Sequence, residues 1–306
     1  MPHGSNDLYS FIEPVTRKHF GQGARKHPAQ FSQFMDVSST TEPIREFQEN
    51  AGAAGTFALK TENSAMSRKV ITPGPSKRVQ AATYAAAIEF SKEILDDIRD
   101  SQNAAALRKV TTSSGALGRS GSLTPEYLVA QFLDRSFTSG YPVTVDNVIL
   151  CSASHVSPLG TTYSNIMATP AALSETSLED IMTQLRTTAA ADGLLTPVMP
   201  ELLIVPSALA NTAKKLTMSE KTLGTANNDP SIVRDTAKHV VFDYLTNQTR
   251  YFMKTDADNG LYWQWRQALT YDRDNVALTM QAIFIAFFRA MWGCEDPRGI
   301  FGVNAT

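Results

Sequence analysis

A thiol, two hydroxyls and an imidazole lie within five residues of one another, between Cys151 and His155. A nucleophilic hydrolase needs such groups close together in space, with an acid that orients the histidine. Neither G-x-S-x-G nor the surroundings of a papain-like cysteine occur here. We therefore interpret the segment as a loop in which side chains bond to the backbone, and keep a Cys151/His155 hydrolase as a distant alternative.

Metal and phosphate sites receive equally little support. Asp256, Asp258, Asp272 and Asp274 offer oxygen ligands for a hard cation, but without the spacing and distal glutamate of an EF-hand loop. The five histidines show no pair at i, i+4, which disfavours zinc. The glycine-rich run 115–122 lacks the lysine of a P-loop. No catalytic residue, cofactor or metal is expected, and hence no enzyme.

Charge is distributed unevenly along a chain whose net charge is −2. Residues 1–78 contain ten Lys/Arg and seven Asp/Glu, a net of +3, so that the remainder carries −5. The basic excess concentrates at Arg17, Lys18, Arg25 and Lys26. One interpretation is a solvated arm; the other is salt-sensitive contact with a packaged polyanion.

Cysteine use and hydropathy indicate a protein of a reducing compartment without a membrane segment. Cys151 and Cys294 lie 143 positions apart and are expected to be buried free thiols. No apolar signal segment begins the chain. The apolar run Met280–Trp292 has thirteen residues, short of the roughly 20 that span a bilayer, and is expected to be a buried strand.

The first third is predicted to hold an arm, an extended hairpin and a helix. Residues 1–40 show no periodic pattern, which favours an arm. In residues 41–87 the cluster Pro73-Gly74-Pro75 predicts a turn, and the few large apolar residues cannot form a core. Helical spacing begins near Ile88, with Ile94, Leu95 and Ile98 on one face. The predicted strands are Thr56–Leu59, Lys69–Ile71 and Val79–Ile88.

Two further helices have start signals. Thr124 as N-cap and Pro125 at the first helical position predict a helix from Thr124 to Ser139. The glycines within 115–121 each cost about 1 kcal/mol inside a helix, so a loop, kink or separate helix is expected before it. A capping box formed by Thr176 and Glu179 predicts the next helix.

The remainder is predicted to mix strands and helices, with aromatic residues in the core and at subunit contacts. This order gives an α+β fold rather than a doubly wound sheet. The dipeptide Asn259-Gly260 predicts a β-hairpin turn. The predicted elements are a strand at Leu202–Val205, a helix from Pro206 toward Lys215, a loop at Thr217–Pro230, strands at Val240–Tyr244, Arg250–Lys254, Leu261–Trp265 and Leu269–Tyr271, and a last strand within Val276–Met291.

Short stretches dispersed over residues 30–302 match one family in order and spacing. They are Phe31–Met35, Tyr84–Leu95, Cys151–His155, Tyr163–Asn165, Ala172–Ser174, Pro200–Pro206, Leu223–Asp229, Lys254–Asp256, Asn259–Leu261, Trp292 and Asp296–Ile300. With them the sequence resembles the major head subunits of Mu-like tailed bacteriophages, whose members adopt the Hong Kong 97 capsid fold.

The resemblance implies a domain plan. Residues 1–40 would be the N-terminal arm and 41–87 the extended loop that reaches over a neighbouring subunit. A peripheral domain with a spine helix, shorter here than usual in the family, would cover 88–175. The axial domain would take most of 176–268, and 269–306 would return to the peripheral domain.

The resemblance also implies a structural role as major capsid protein, in pentamers and hexamers of an icosahedral virion shell around double-stranded DNA. Assembly in the host cytoplasm with a separate scaffolding protein and a portal is expected; decoration proteins and Lys–Asn crosslinks stay open. A nanocompartment shell of the same fold is the alternative. The expected inner-face DNA contacts are Arg17, Lys18, Arg25 and Lys26. The expected residues of the intersubunit loop are Lys60, Arg68, Lys69, Lys77 and Arg78.

Overall fold

The computed structural model describes residues 5–51, 56–66, 68, 72–100, 103–138, 144–188, 195, 197–219, 234, 236–258, 260–276 and 281–305. The helices are α1 Ser5–Arg25, α2 Lys92–Asp100, α3 Ala104–Asp134, α4 Glu175–Thr187 and α5 Ala210–Met218. The strands are β1 Asp36–Ser39, β2 Ile44–Ala51, β3 Thr72–Gln80, β4 Ala82–Ser91, β5 His155–Val156, β6 Thr162–Tyr163, β7 Pro200–Val205, β8 Lys238–Val241, β9 Tyr251–Thr255, β10 Leu261–Val276, β11 Gln281–Cys294 and β12 Ile300–Val303.

Two four-stranded sheets organise these elements, in the orders β1-β10-β11-β4 and β12-β9-β7-β8. In the first sheet β1 is parallel to β10 and the other pairs are antiparallel. In the second, β7 is parallel to β8 and antiparallel to β9. Strands β2 and β3 form a separate antiparallel hairpin. The predicted α+β class is confirmed.

Helix α3 is continuous over 31 residues, so the predicted interruption before Thr124 is wrong. Its N-cap is Asn103, whose side chain accepts from the N–H groups of Ala105 and Ala106. Thr124 lies inside the helix and donates its hydroxyl to the Ser120 carbonyl. The glycines that argued against a helix serve its packing, since a Cβ on Gly118 would lie 2.1 Å from the Phe20 carbonyl oxygen. Close helix contact offsets their unfavourable propensity.

The expectation of an arm without periodic structure in residues 1–40 is also wrong for most of that segment. Residues Ser5–Arg25 form α1, which packs along α3. Ile12, Thr16 and Phe20 are buried at four-residue spacing, the pattern of a helix face. That pattern was hidden because the face is completed by glycine: a Cβ on Gly23 would lie 2.0 Å from the Gly115 carbonyl oxygen.

Glu126 has a different role from the one its sequence position predicts. An acidic residue directly after a proline is typical of a helix start, yet Glu126 is buried well inside α3. Its carboxylate accepts the backbone N–H of Gln30 at 2.7 Å and of Phe31 at 3.1 Å. Burial raises the pKa of Glu126 more than these two bonds lower it. Glu126 thereby binds the segment after α1 to α3.

The aromatic residues of β10 and β11 form the core, as predicted. Trp263 is fully buried and stacks on Trp292, with ring centroids 5.2 Å apart. Phe284 and Tyr271 stack at 5.9 Å beneath α1 and α3. A second core lies between α4 and the sheet of β7, β9 and β12.

Three predictions are corrected here: a turn, a strand and the start of a helix. Pro73-Gly74-Pro75 lies within β3 beside a register shift opposite Asn50, because proline lacks a ladder N–H and is tolerated at such irregularities. The segment Thr56–Leu59 has no strand. Helix α4 is capped by a box of Ser174 and Ser177, two residues before the predicted start at Thr176.

The Asn259-Gly260 turn does not join a hairpin. Strand β9 pairs with β7 and β12, whereas β10 pairs with β1 and β11, so the turn crosses between the two sheets. Asp256 is fixed by the Met199 N–H at 2.7 Å, and Gly260 lies against Gly299 with no space for a side chain between them. Asn259 lies outside the described residues.

In the C-terminal half, the predicted domain boundaries do not coincide with the ends of the strands in the two sheets. The two expected strands Leu261–Trp265 and Leu269–Tyr271 are one strand, β10, interrupted by register shifts between Trp265 and Thr270. The boundary at 268/269 therefore falls inside a strand. Strand β12 returns to the second sheet. The strands at Leu202–Val205 and Arg250–Lys254 and the helix toward Lys215 are confirmed within one to four residues. Lys69–Ile71 and Leu223–Asp229 lie outside the described residues.

Candidate assembly interface

The β2–β3 hairpin turns one face toward the rest of the chain and the other toward solvent. Along β2, Arg45, Phe47 and Glu49 are less exposed than Glu46 and Gln48, the alternation expected of a strand with one covered face. The covered face carries two charged residues out of three. The hairpin is therefore held to the body by polar contacts more than by an apolar core.

Arg45 forms the first of these contacts. Its guanidinium binds the Glu295 carboxylate with two nitrogens, Nη2 donating to Oε2 at 2.7 Å, and lies 4.4 Å from the ring centre of Tyr262. The hydrogen bond with Glu295 raises the pKa of Arg45. A planar, two-pronged pair over an aromatic ring fixes orientation as well as distance. It joins β2 to the end of β11.

A second contact joins the middle of the hairpin to the segments on either side of β5. Lys77 on β3 donates to the Thr144 carbonyl at 3.2 Å, and burial lowers the pKa of Lys77. Gly74 lies between the Glu49 carbonyl and the ring of Pro158, where a Cβ would come within 2.3 and 2.7 Å of them. Only glycine fits this close approach.

Two hydrogen-bonded pairs of an acidic and a basic side chain lie beneath the hairpin at this contact. Asp146 accepts from His155 Nδ1 at 2.7 Å and from Thr144 Oγ1 at 2.6 Å. Burial alone would raise the pKa of Asp146, but these hydrogen bonds outweigh it and lower the pKa. Asp296 accepts from Arg298 Nε at 3.0 Å. Burial and the nearby Asp296 carboxylate raise the pKa of Glu49, which lies between the pairs, to about 7.

The segment beyond the hairpin strands exposes apolar side chains. Phe57 is 96% exposed, Leu59 93% and Met66 77%, the most exposed large hydrophobic residues of the described chain. Isolated exposed apolar residues are ordinary, but three in eleven residues make this segment a candidate contact surface. We call residues 56–66 the distal loop.

The five basic residues expected in the intersubunit loop fall in different places. Lys60 and Arg68 are exposed in or near the distal loop. Arg78 is exposed on β3 and pairs with Glu46 at 3.1 Å. Lys77 donates to the Thr144 carbonyl of its own chain, and its expected place in the intersubunit loop stays a prediction. Lys69 lies outside the described residues.

A groove of about 740 Å³ runs along the C-terminal part of α3. Tyr127 forms one wall and is 59% exposed. The groove is thus an open, partly apolar surface on α3. Its other lining residues include Leu128, Asp134, Arg135, Tyr244 and Arg250.

The basic residues of the N-terminal segment are exposed on and just after α1. Arg17, Lys18 and Arg25 lie on the helix and Lys26 follows it. Arg17 bonds to Glu13 at 3.0 Å and lies near the ring of Tyr271, so part of its charge is compensated. The cluster is fixed on a helix rather than carried by a flexible arm.

The hydrolase alternative is contradicted. Cys151 is buried against Phe137 and Gly302, and burial raises the pKa of its thiol to about 12, which removes the thiolate that a nucleophile needs. His155 is fully buried with Asp146 and stacks on Tyr163. Both cysteines are free and buried, as predicted.

Searches for metal and membrane features gave no candidates within the described ranges. No group of three or more His, Cys, Asp or Glu there could hold a metal ion. None of the helices described is both long and apolar enough to cross a bilayer.

Sequence reasoning missed Glu49, Asp146 and the Arg45–Glu295 pair. Arg45 and Glu295 are separated by 250 positions, so no local pattern joins them. The alternation of Arg45, Phe47 and Glu49 on one strand face was a detectable signal that the hairpin is held by charged groups.

Comparison with known proteins gives the family. A family model described as phage capsid protein matches residues 74–303, three quarters of the chain. No curated protein sequence gave a significant match.

Solved structures share the fold at low sequence identity. A virus-like particle from Pyrococcus furiosus matches with a TM-score of 0.54 and 10% identity over 95% of this chain and 98% of that one. Mycobacterium phage Adephagia matches with 0.55 and 11% over 92% and 91%. The capsid of an empty GTA particle matches with 0.54 and 16% over 91% and 90%. The chain has the Hong Kong 97 capsid fold and belongs to the phage capsid protein family.

Proposed function

We propose that this major capsid protein forms the pentamers and hexamers of an icosahedral phage head that encloses double-stranded DNA. The observation that carries the proposal is the β2–β3 hairpin, whose distal loop exposes Phe57, Leu59 and Met66. Such a loop gains apolar burial when a second copy covers it, and each modest contact is multiplied around the shell. The role is structural, and no reaction is part of it.

The surface that would receive the distal loop is the groove on α3 of a neighbouring subunit. Tyr127 and Leu128 supply apolar area there, while Asp134 offers a carboxylate in reach of a lysine such as Lys60. Aromatic and aliphatic side chains enclosed by polar groups form the usual centre of a protein interface. Arg78 lies on the solvent side of the hairpin and is placed to contact the neighbour.

Electron microscopy of shells from chains with Phe57→Ser and Leu59→Ser tests this arrangement. The subunit should fold as before, because both side chains are exposed, and shell yield should fall by at least tenfold. Glu62→Gln in the same loop is the matched control and should assemble normally. Wild-type shell yield from the double variant would show that the distal loop does not join subunits.

The exposed basic residues Arg17, Lys18, Arg25 and Lys26 would lie on the inner face against packaged DNA. Replacing all four by glutamine should lower DNA content per particle and make it less sensitive to salt, because fewer counterions are released. Lys214 and Lys215 on α5, also exposed, provide the control substitutions. Equal shell yield and equal DNA content in the quadruple variant would contradict the proposal.

Partners beyond the chain itself follow from the family and remain part of the proposal: a scaffolding protein, a portal, and assembly in the host cytoplasm before the protein enters the virion. A decoration protein is a further candidate, since the capsid of bacteriophage JBD30, which is decorated with minor capsid protein trimers, matches with a TM-score of 0.54. Co-purification of particles from the producing host would identify these partners.

A second candidate is a shell that holds protein cargo. It is favoured by the similarity to the virus-like particle from Pyrococcus furiosus. Nucleic acid and protein analysis of purified particles separates the two: double-stranded DNA of uniform length supports the phage head, and one enriched cargo protein without DNA supports the alternative.

A further inference from the structure

Glu49 occupies an unusual position for a carboxylate. It lies on the covered face of β2 where the hairpin meets the body, and only 8% of it is exposed. Its Oε2 atom has no hydrogen-bond partner among the described residues. A buried carboxylate without a partner costs several kcal/mol when ionised, so such a group is expected to hold a proton.

The basic side chains near Glu49 already have hydrogen-bond partners other than Glu49. Arg298 is bound to Asp296 with Nε 3.0 Å from Oδ1 and 3.1 Å from Oδ2. Lys77 donates to the Thr144 carbonyl at 3.2 Å. His155 is held by Asp146 at 2.7 Å.

The formal charges of the groups around Glu49 also favour its neutral form. Glu49, Asp146 and Asp296 supply three negative charges when ionised, against two permanent positive charges on Lys77 and Arg298. Among these five groups the acids exceed the cations by one, and a neutral Glu49 removes this excess. The nearby Tyr163 adds no charge, since burial raises the pKa of its hydroxyl.

We infer that Glu49 is an acid-engaged latch: its neutral form allows the hairpin to dock on the body, and its ionisation loosens the hairpin base. The docked hairpin buries Glu49 against Asp146 and Asp296, whereas the released hairpin would leave it in water. The inference concerns a single subunit and goes beyond the proposed assembly role, so it can hold or fail independently of shell formation.

The direction of the pH effect follows from proton linkage. The pKa of Glu49 is about 7 when docked and has the ordinary value of 4.5 when solvated. Docking is therefore strongest below pH 4.5, weakens as pH rises through 7 and is weakest above it. A difference of this size corresponds to a roughly three-hundredfold change in the docking equilibrium.

Asp146, Lys77 and the Arg45–Glu295 pair, which also lie around the latch, do not reproduce this window. Hydrogen bonds lower the pKa of Asp146 against the effect of burial, so it stays ionised there. Burial lowers the pKa of Lys77, which changes charge only in alkaline solution. Arg45 and Glu295, on the same side of β2, compensate one another as a pair.

Distance measurement between two spin labels on the full-length chain tests the latch. Ser64→Cys in the distal loop and Lys109→Cys on α3 give exposed labelling sites, while Cys151 and Cys294 are buried. At pH 5 the distance distribution should be narrow. At pH 8.5 it should broaden in the otherwise unchanged chain and stay narrow in Glu49→Gln, which mimics the neutral acid.

Glu46→Gln on the exposed face of the same strand is the matched control and should respond to pH as the parent does. A parent distribution identical at both pH values would overturn the latch, as would a Glu49→Gln chain that still broadens. If Glu49→Gln fails to fold, carbon-13 spectra of the parent decide: a glutamate carboxyl titrating near pH 7 agrees, and titration of every glutamate below pH 6 overturns it.

Discussion

The body around β10, β11 and α3 and the β2–β3 hairpin solve the problem of stability in opposite ways. The body buries its aromatic residues, with Trp263 fully enclosed. The hairpin exposes Phe57 and Leu59 and is held at its base by Arg45 and Lys77. The body is thus stable through its own core. The hairpin depends on charged contacts with the body and leaves the apolar side chains of its distal loop uncovered.

The largest effect is expected where the body's core is emptied. Trp263→Ala removes a fully buried ring that contacts Phe31, Trp265 and Trp292. The free energy of unfolding should fall by about 3–5 kcal/mol, as for other large core residues. Denaturant titration of the unassembled chain measures it. Phe57→Ala in the distal loop should leave the same titration unchanged, and a comparable loss there would erase the distinction between the two regions.

A somewhat smaller effect is expected at the contact between α1 and α3. In Gly118→Val the new side chain would begin 2.1 Å from the Phe20 carbonyl oxygen, so α1 must shift or detach, at a cost of about 2–3 kcal/mol. Proteolysis near residue 25 should accelerate as well.

Gly21, on the same α1 helix, provides the control for this contact. A Cβ at Gly21 meets nothing within 4 Å, so Gly21→Ala should stabilise the chain by up to about 1 kcal/mol. Equal destabilisation by Gly118→Val and Gly21→Ala would mean that the close approach of α1 at Gly118 does not explain the loss.

The anchor of the hairpin should contribute less than the core. Arg45→Met leaves the Glu295 carboxylate, 5% exposed, without its guanidinium partner, and should cost about 2 kcal/mol. The loss should be partly recovered in the double variant with Glu295→Gln, since both charges are then gone. Hydrogen exchange of β2 and β3 amides should increase selectively. Unchanged exchange in the hairpin would mean that Arg45 is not its anchor.

The success of sequence reasoning follows the same division between body and hairpin. The aromatic strands of the body, such as that around Phe284 and Phe288, were predictable because their burial follows from local pattern. Helix α3 was predicted too short because Gly115 and Gly118 have poor helix propensity, and the partner that makes glycine favourable lies on α1. Tertiary contact overrides propensity in such cases.

An extended hairpin within residues 41–87 was predicted, but neither the bounds of its strands β2 and β3 nor its attachments to the body were. Glu49 was not singled out because its burial results from segments about 100 and 250 positions away, around Asp146 and Asp296. The Pro73-Gly74-Pro75 cluster was taken for a turn since its accommodation beside a register shift depends on the partner strand. Contacts of this range have no signature in one sequence.

The smallest effect on the subunit is expected at Arg78, and it separates stability from assembly most clearly. Arg78 and Glu46 pair across the solvent face of the hairpin with side chains 72% and 50% exposed. Such pairs contribute less than about 0.5 kcal/mol, because water screens both charges. Arg78→Gln should therefore leave denaturant titration unchanged. A loss of shell yield at unchanged stability would assign Arg78 to contacts between subunits, whereas normal yield would exclude it from them and leave the distal loop as the contacting part of the hairpin.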